Sequence, residues 1–249
     1  MIGLSIALEC AKRGCKVTLL ERGKLGQQAS WAGAGILPTG GSATTGGSKI
    51  EDPIEQLRQL SDRLHEAWAE WLYEFTGIDN EYRRTGGLYI ARSAAERATL
   101  KANRLWWEEL GVEHELWSAR ELANSIRLKG LQLVGGEHLA LYYVPRDAKL
   151  RNPWHVQALR VACERLGVVI HEETEVVGFT TDSERVRSVR LARSGAAARD
   201  AVKVSSAVRS DEIASDRFCI TAGAWSNRLL GELKDRKSTR LNSSHEWIS

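Results

Sequence analysis

Apolar positions recur at three- and four-residue spacing in several stretches of the chain, and each such stretch predicts a helix with one inward face. Residues 4–13 place Leu4, Ile6, Ala7, Leu8 and Ala11 in this way, and Gly14 follows as a helix-terminating glycine. A longer helix is predicted from Asp52 as N-cap and Pro53 as first residue to about Phe75, with Gly77 as its stop. Its positions Ile54, Leu57, Leu60, Leu64, Trp68, Trp71 and Leu72 form one stripe expected to be buried. Residues 94–110 read as a further helix carrying Trp106 and Trp107. Ser118 and Glu121 open a short one by a capping box, and Asn152-Pro153 begins another through Arg165, closed by Gly167. Trp68, Trp71, Trp106 and Trp107 are expected in core and interdomain packing.

Short apolar or alternating runs predict strands at 16–20, 86–91, 139–144, 168–171, 175–180, 186–193 and 217–221. Residues 16–20 and 168–171 are apolar enough for buried parallel strands. Residues 175–180 and 186–193 suit a small antiparallel meander turning near Asp182-Ser183, and the glycine-rich stretch 39–48 reads as a mobile loop. No internal repeat is present. The order β-α-β, inserted mixed segment, helix, strands and a final β-turn-α predicts an α/β fold. In it, an incomplete Rossmann-like dinucleotide-binding domain (1–50 and 151–234, the latter with the meander) is interrupted by a mixed α+β, largely helical region at 51–150.

Composition narrows the class. The chain has 249 residues, 43% of them hydrophobic, enough for one large or two small globular domains. No apolar run approaches the roughly 20 residues that span a bilayer, and Met1 enters an amphipathic helix without the features of a signal peptide. The formal charge is +3 with no basic block, which disfavours nucleic acid as a partner. Cys10, Cys15, Cys163 and Cys219 form no C-x-x-C pair and are read as reduced core thiols of a cytosolic protein. The six histidines are scattered, so no metal site is expected. Residues 235–249 have no hydrophobic period, and Asp235 to His245 match an in-frame translation of a common sequencing adapter. They are expected to be a non-native tail and are set aside from the fold.

Candidate chemistry lies in three places. Ile2-Gly3 reads as the end of a G-x-G-x-x-G turn entering a helix, where backbone N–H groups can meet a pyrophosphate. Glu21 follows the strand 16–20 at close to the roughly 20-residue spacing at which a carboxylate takes ribose hydroxyls. The strand and glycines that should precede Gly3 are absent, so the unit is read as a fragment. The small-residue segment 27–38 lets backbone approach a flat ring, while embedded Trp31, Ile36 and Leu37 argue against a simple linker. Residues 40–49 fail as a P-loop because no G-K-[ST] follows at the right spacing. Residues 220–226 read as a strand ending in a tight turn, with Gly223 approaching a ligand and Trp225 packed beneath. Each feature also has a plain structural explanation: a strand-terminal acid, a flexible linker, an ordinary strand-helix turn.

Taken in order, several segments resemble the FAD-dependent D-amino-acid-oxidase-like family, and within it the glycine oxidases of thiamine biosynthesis. They are E-R-G-x-L-G at 21–26, A-S-W-A-G-A-G-I-L-P at 29–38 and T-G-I-D-N at 76–80. R-R-T-G-G-L at 83–88, D-A-x-x-R-N-P at 147–153 and A-G-A-W-S at 222–226 complete the set. The resemblance implies an FAD enzyme that oxidises glycine or another small amino acid with dioxygen to a 2-oxo acid, ammonia and hydrogen peroxide. It implies Ile2 and Gly3 at the pyrophosphate and Glu21 and Arg22 at the adenosine ribose. Ala29, Ser30, Ala34, Gly35 and Ile36 would lie along the pyrophosphate and isoalloxazine, Val176 at the adenine end, and Ala222, Gly223 and Trp225 would close the site. Arg83, Arg84, Tyr142 and Tyr143 are read as surface or packing residues. The family's carboxylate-binding arginine and active-site tyrosine have no counterpart here, so no catalytic residue is assigned and the chain alone is expected to be inactive. Homo-oligomerisation of the parent is left open. A D-amino-acid dehydrogenase, a sarcosine oxidase-like flavoenzyme and an inert nucleotide-binding fragment remain alternatives; an NAD dehydrogenase would leave 29–38 without a role.

Overall fold

The computed structural model describes residues 1–40, 52–124, 140–182, 185–193 and 212–234. The tail 235–249, most of the glycine-rich stretch 39–48 and the turn residue Ser183 lie outside them. The first elements are α1 (Ile2–Lys12), β1 (Thr18–Leu20), α2 (Ala29–Ala32), β2 (Ile36–Leu37), α3 (Pro53–Thr76), β3 (Arg83–Arg84), β4 (Gly87–Ala91) and α4 (Ala94–Leu110). They are followed by β5 (Glu115–Trp117), α5 (Ala119–Asn124), β6 (Ala140–Val144), β7 (Ala148–Lys149), α6 (Asn152–Arg165) and β8 (Val169–His171). The last are β9 (Thr174–Asp182), β10 (Arg185–Arg193), β11 (Glu212–Ala214), a 3-10 turn Gly223–Trp225 and α7 (Ser226–Lys234). The chain forms two compact units, one of Met1–Trp31 with Leu159–Ser249, the other of Ala32–Ala158.

In the first unit α1 buries Leu4, Ala7 and Leu8, the i, i+3, i+4 face that its sequence predicts. Gly14, at φ 80°, donates to Ala11 O at 2.9 Å and Cys15 N donates to Cys10 O at 3.1 Å, closing the helix in a Schellman turn. β1 pairs in parallel with β8, Thr18 opposite Val169 and Leu20 opposite His171. The pairing follows expectation; the burial does not, since Val169 is 52% exposed. Among the described residues this sheet has two strands only. Residues 217–221 likewise form no ladder, because no described strand runs beside them. β9, β10 and β11 form the antiparallel meander, with β10 in the middle. Cys163 of α6 is fully buried and donates to Leu4 O, which seats α6 on α1.

The second unit holds two three-stranded antiparallel sheets, β2-β7-β3 and β4-β6-β5. Tyr82, Ala148 and Leu150 form the core beside the first, with Leu37 and Ala69 against them. Leu110, Val112 and Val144 form the core beside the second, with Tyr89 and Trp107. Trp107 meets Tyr89 edge-on at 4.9 Å and Tyr142 at 6.0 Å, while Trp106 is 45% exposed, contrary to its expected core role. Arg83 pairs with Asp79 at the surface, whereas Arg84 makes a part-buried pair with Asp62 and reaches the exposed Glu66.

α3 starts and stops where its sequence predicts: Asp52 accepts from Ile54 N at 2.8 Å, and Gly77 caps the other end at φ 76°. Its rotation differs from expectation. Ile54, Leu57, Leu60 and Leu64 are exposed, while Glu55 and Gln59 are buried; toward the other end Leu72 is buried as expected, together with Thr76. Two contacts fix that rotation. The Gly40 backbone packs on Gln59, where an added Cβ would come within 2.8 Å of Gln59 Cα, and Asp62 is held by both Thr39 Oγ1 and Arg84. Close backbone packing and a part-buried ion pair are directional; an apolar stripe is not. Ser61, His65, Leu37, Ile54, Leu57 and Tyr82 line a cavity of about 300 Å³ along this helix.

His155 on α6 is 5% exposed and faces Asn80, Nδ2 to Nδ1 3.0 Å. Burial, helped by His65, pushes its pKa down to about 4. The native state therefore refuses a proton that the unfolded chain accepts near pH 6.5, and stability falls as pH drops through the window from 6.5 to about 4. The loss attributable to this group is on the order of 3 kcal/mol. Urea midpoints measured between pH 7 and pH 4.5 are expected to fall less steeply in His155→Gln, which retains a partner for Asn80 and cannot ionise; equal slopes would remove His155 from the account. The cysteines give a second check. Cys163 is buried, its thiol pushed up to about 11, whereas Cys15 and Cys219 are exposed, so only one of these three is the core thiol expected. Maleimide should label Cys15 and Cys219 in the folded chain and reach Cys163 only in denaturant, as read by peptide mass spectrometry.

Candidate flavin nucleotide site

The first unit holds most of the sequence-derived site residues, and some of them meet at the start of α1. That end has no side-chain cap, so its first-turn N–H groups point outward beyond Ile2 and Gly3. Thr221 packs directly on Gly3, where a Cβ would come within 2.7 Å of the Thr221 hydroxyl. This contact places the 221–226 turn beside the helix start. Ser30 Oγ of α2 accepts from the Met1 amino group at 2.9 Å. Ala29 is exposed beside Ser30.

Glu21 stands just past β1. Its Oε1 accepts from Gly23 N at 2.9 Å, and a carboxylate has further lone pairs for a ribose hydroxyl. Its carbonyl accepts from Thr174 N at 2.9 Å, and its own N–H donates to His171 O at 2.9 Å, so β8 and the start of β9 hold its backbone on both sides. Val176 lies two residues along β9, next to a register shift at which Leu191 pairs with Val176 and Arg190 with Gly178, leaving Val177 out of the ladder. Arg22 lies over the Trp225 ring, Cζ 4.6 Å from its centroid, a cation–π contact. Trp225 is 45% exposed and follows Ala222 and Gly223 (φ 58°), so it does not pack beneath the turn as expected; Arg22 covers it from outside.

Ala34, Gly35 and Ile36 belong to the second unit, the first two leading into β2 and Ile36 opening it. Ala34 is exposed and Ile36 is 67% exposed. Gly35 sits at φ 71°, accepts from Leu150 N at 2.9 Å, and would drive a Cβ to 1.9 Å from Leu150 O. The glycine is thus required by the unit's own packing, whatever it faces.

Several residues that anchor these segments are not among the candidate site residues read from the sequence. Thr221 supports Gly3, and Glu172 accepts from Leu25 N at 2.6 Å. Asp147 accepts from Thr39 N at 2.8 Å, and Asn152 flanks Gly35. Asp147 and Asn152 do stand in the D-A-x-x-R-N-P segment, which was the available signal. No cluster of His, Cys, Asp or Glu among the described residues could hold a metal, and no described helix is long and apolar enough to cross a membrane.

The glycine oxidase of Pseudomonas aeruginosa is 27% identical over 242 residues, covering 94% of this chain and 56% of that protein. The crystal structure of glycine oxidase from Geobacillus kaustophilus superposes with a TM-score of 0.72 at 25% identity, over 94% of this chain and 55% of the other. The "Bifunctional protein ThiO/ThiG" of Trichormus variabilis is 25% identical over 231 residues, 92% of this chain and 30% of that protein. The chain thus spans about half the length of the glycine oxidases it matches. The family model described as "DAO: FAD dependent oxidoreductase" matches residues 1–245, and the chain belongs to this family of oxidoreductases, whose cofactor is FAD.

Proposed function

We propose that the protein is an amino-acid oxidase of the glycine oxidase type. It would convert glycine or another small amino acid, with water and dioxygen, to a 2-oxo acid, ammonia and hydrogen peroxide, as part of thiamine biosynthesis in the cytoplasm. The observation that carries the reading is the Gly3–Thr221 contact, which sets the 222–225 turn against the start of α1 in the unit that also holds the acid after β1. When bound, FAD supplies the two-electron acceptor. The proposed work of this chain is to bind it. The α1 N–H groups with Ile2, Gly3, Ala29 and Ser30 neutralise the pyrophosphate, and Glu21 takes the ribose hydroxyls. Arg22 on Trp225 with Ala222 and Gly223 walls the adenosine side, and the interrupted ladder at Val176 presents backbone to the adenine. Ala34, Gly35 and Ile36 offer bare backbone to the ring. Residues 51–150 are assigned to the substrate region.

Because the chain spans 56% of the length of its Pseudomonas relative, turnover is assigned to the full-length enzyme and the 249 residues alone are expected to bind flavin without oxidising amino acids. Titration of the purified chain with FAD, followed by flavin fluorescence and visible absorbance, should show saturable binding. Glu21→Ala should weaken it about tenfold, the loss of one charge-assisted hydrogen bond. A chain indifferent to FAD, or a Glu21→Ala variant that binds as well as the parent, would overturn these assignments. Peroxide release by the full-length enzyme with glycine, sarcosine and D-alanine, set against activity with artificial acceptors only, separates the oxidase from a dehydrogenase.

A further inference from the structure

Residues 34–40 include the Ala34, Gly35 and Ile36 assigned above to the flavin ring; besides the Gly40–Gln59 packing and the Thr39 Oγ1–Asp62 bond at 3.1 Å, three hydrogen-bonded attachments tie the stretch to residues 147–150. Gly35 O accepts from Leu150 N at 2.9 Å, Ile36 and Leu37 pair with Lys149 and Ala148, and Thr39 N donates to Asp147 Oδ1 at 2.8 Å. The first two attachments are backbone to backbone and ask little of the side chains. The third requires an acceptor side chain at 147. Asp147 is 3% exposed, and its other oxygen accepts from Tyr89 Oη at 2.8 Å. The carboxylate has no room to swing, since a Cβ on Gly87 would lie 2.3 Å from Oδ2, and Gly86 N donates to the Asp147 carbonyl at 2.9 Å. Burial raises its pKa, while the Thr39 and Tyr89 donors work to lower it. A buried carboxylate held by two neutral donors is costly unless both bonds are kept, so the side chain is confined to one place and confines Thr39 with it.

We propose that Asp147 is a positioning residue for the flavin: clamped by Tyr89 and Gly87, it fixes the backbone of 34–40 in the shape that receives the isoalloxazine. The inference rests on the FAD reading of this chain. The adenosine contacts are assigned to other residues, so the two ends of the cofactor should respond differently to a change at 147.

The full chain carrying Asp147→Ala is titrated with FAD and, separately, with ADP, with visible circular dichroism recording the environment of the bound ring. FAD affinity should drop at least tenfold and the flavin signal should weaken, with ADP affinity unchanged. Asp147→Asn, whose oxygen can accept from Thr39 and whose amide can donate to Tyr89 Oη, should recover most of both. Tyr89→Phe should show a smaller loss in the same direction and guards against an Asp147→Ala chain that fails to fold. Hydrogen exchange of the peptide containing Thr39 should accelerate in Asp147→Ala while exchange in α1 stays at its original rate. Unchanged FAD affinity and unchanged exchange at Thr39 would overturn the proposal. If the unaltered chain takes neither FAD nor ADP, the functional reading fails instead, and exchange at Thr39 still decides whether Asp147 holds the segment.

Discussion

Buried backbone N–H and C=O groups must find partners, and in the second unit one short segment meets that demand for most of its neighbours. Residues 147–152 contribute a carboxylate to Thr39 and Tyr89, a two-residue strand to both β2 and β3, and an N–H to Gly35. They also supply the Arg151 N–H to Asn80 O, at 2.9 Å. Ala148 and Leu150, pointing the other way, form the core under Tyr82. The loop 34–40, the β3 strand and the end of α3 near Thr76–Asn80 all take their places from this run. A two-residue strand is too short to be stable by itself; it persists because each of its neighbours is anchored on both sides.

The first unit depends on a different kind of contact. Gly3 lets Thr221 approach the start of α1, and the buried pair Leu4 and Cys163 locks α1 to α6. Glu21 and Arg22 lie side by side in sequence but serve different surroundings: the first is tied back to Gly23 and to β8 and β9, the second lies on Trp225. Membership in a flavin-dependent family is what makes this cluster of small residues, acid and aromatic the proposed seat of the dinucleotide, which needs close backbone at its phosphates and directional acceptors at its sugar.

Much of the fold is legible in the order of residues. The boundaries of α3, α4 and α6, the capping pair Ser118 and Glu121, the Gly14 terminator and the parallel pairing of β1 with β8 follow from short-range rules. These signals are local: a cap, a proline or a glycine at positive φ acts on residues a few positions away. The short strands β2, β3, β5, β7 and β11 are not legible in this way, because two or three residues carry no periodicity and acquire strand geometry only from a distant partner.

Capping chemistry and glycine content are properties of neighbouring residues, so the amino-acid order was enough to set where helices begin and end, which segments hold bare backbone, and the family to which they belong. Long-range packing made the remaining choices. It selected the buried side of α3, exposing Ile54 and Leu57 while burying Glu55 and Gln59, and it laid Trp225 under Arg22 rather than beneath the turn. It also made Asp147 the residue that holds Thr39. Hydrophobic stripes say that a face can be buried, but not against what; close backbone contacts and directional hydrogen bonds between residues far apart in the chain make that choice.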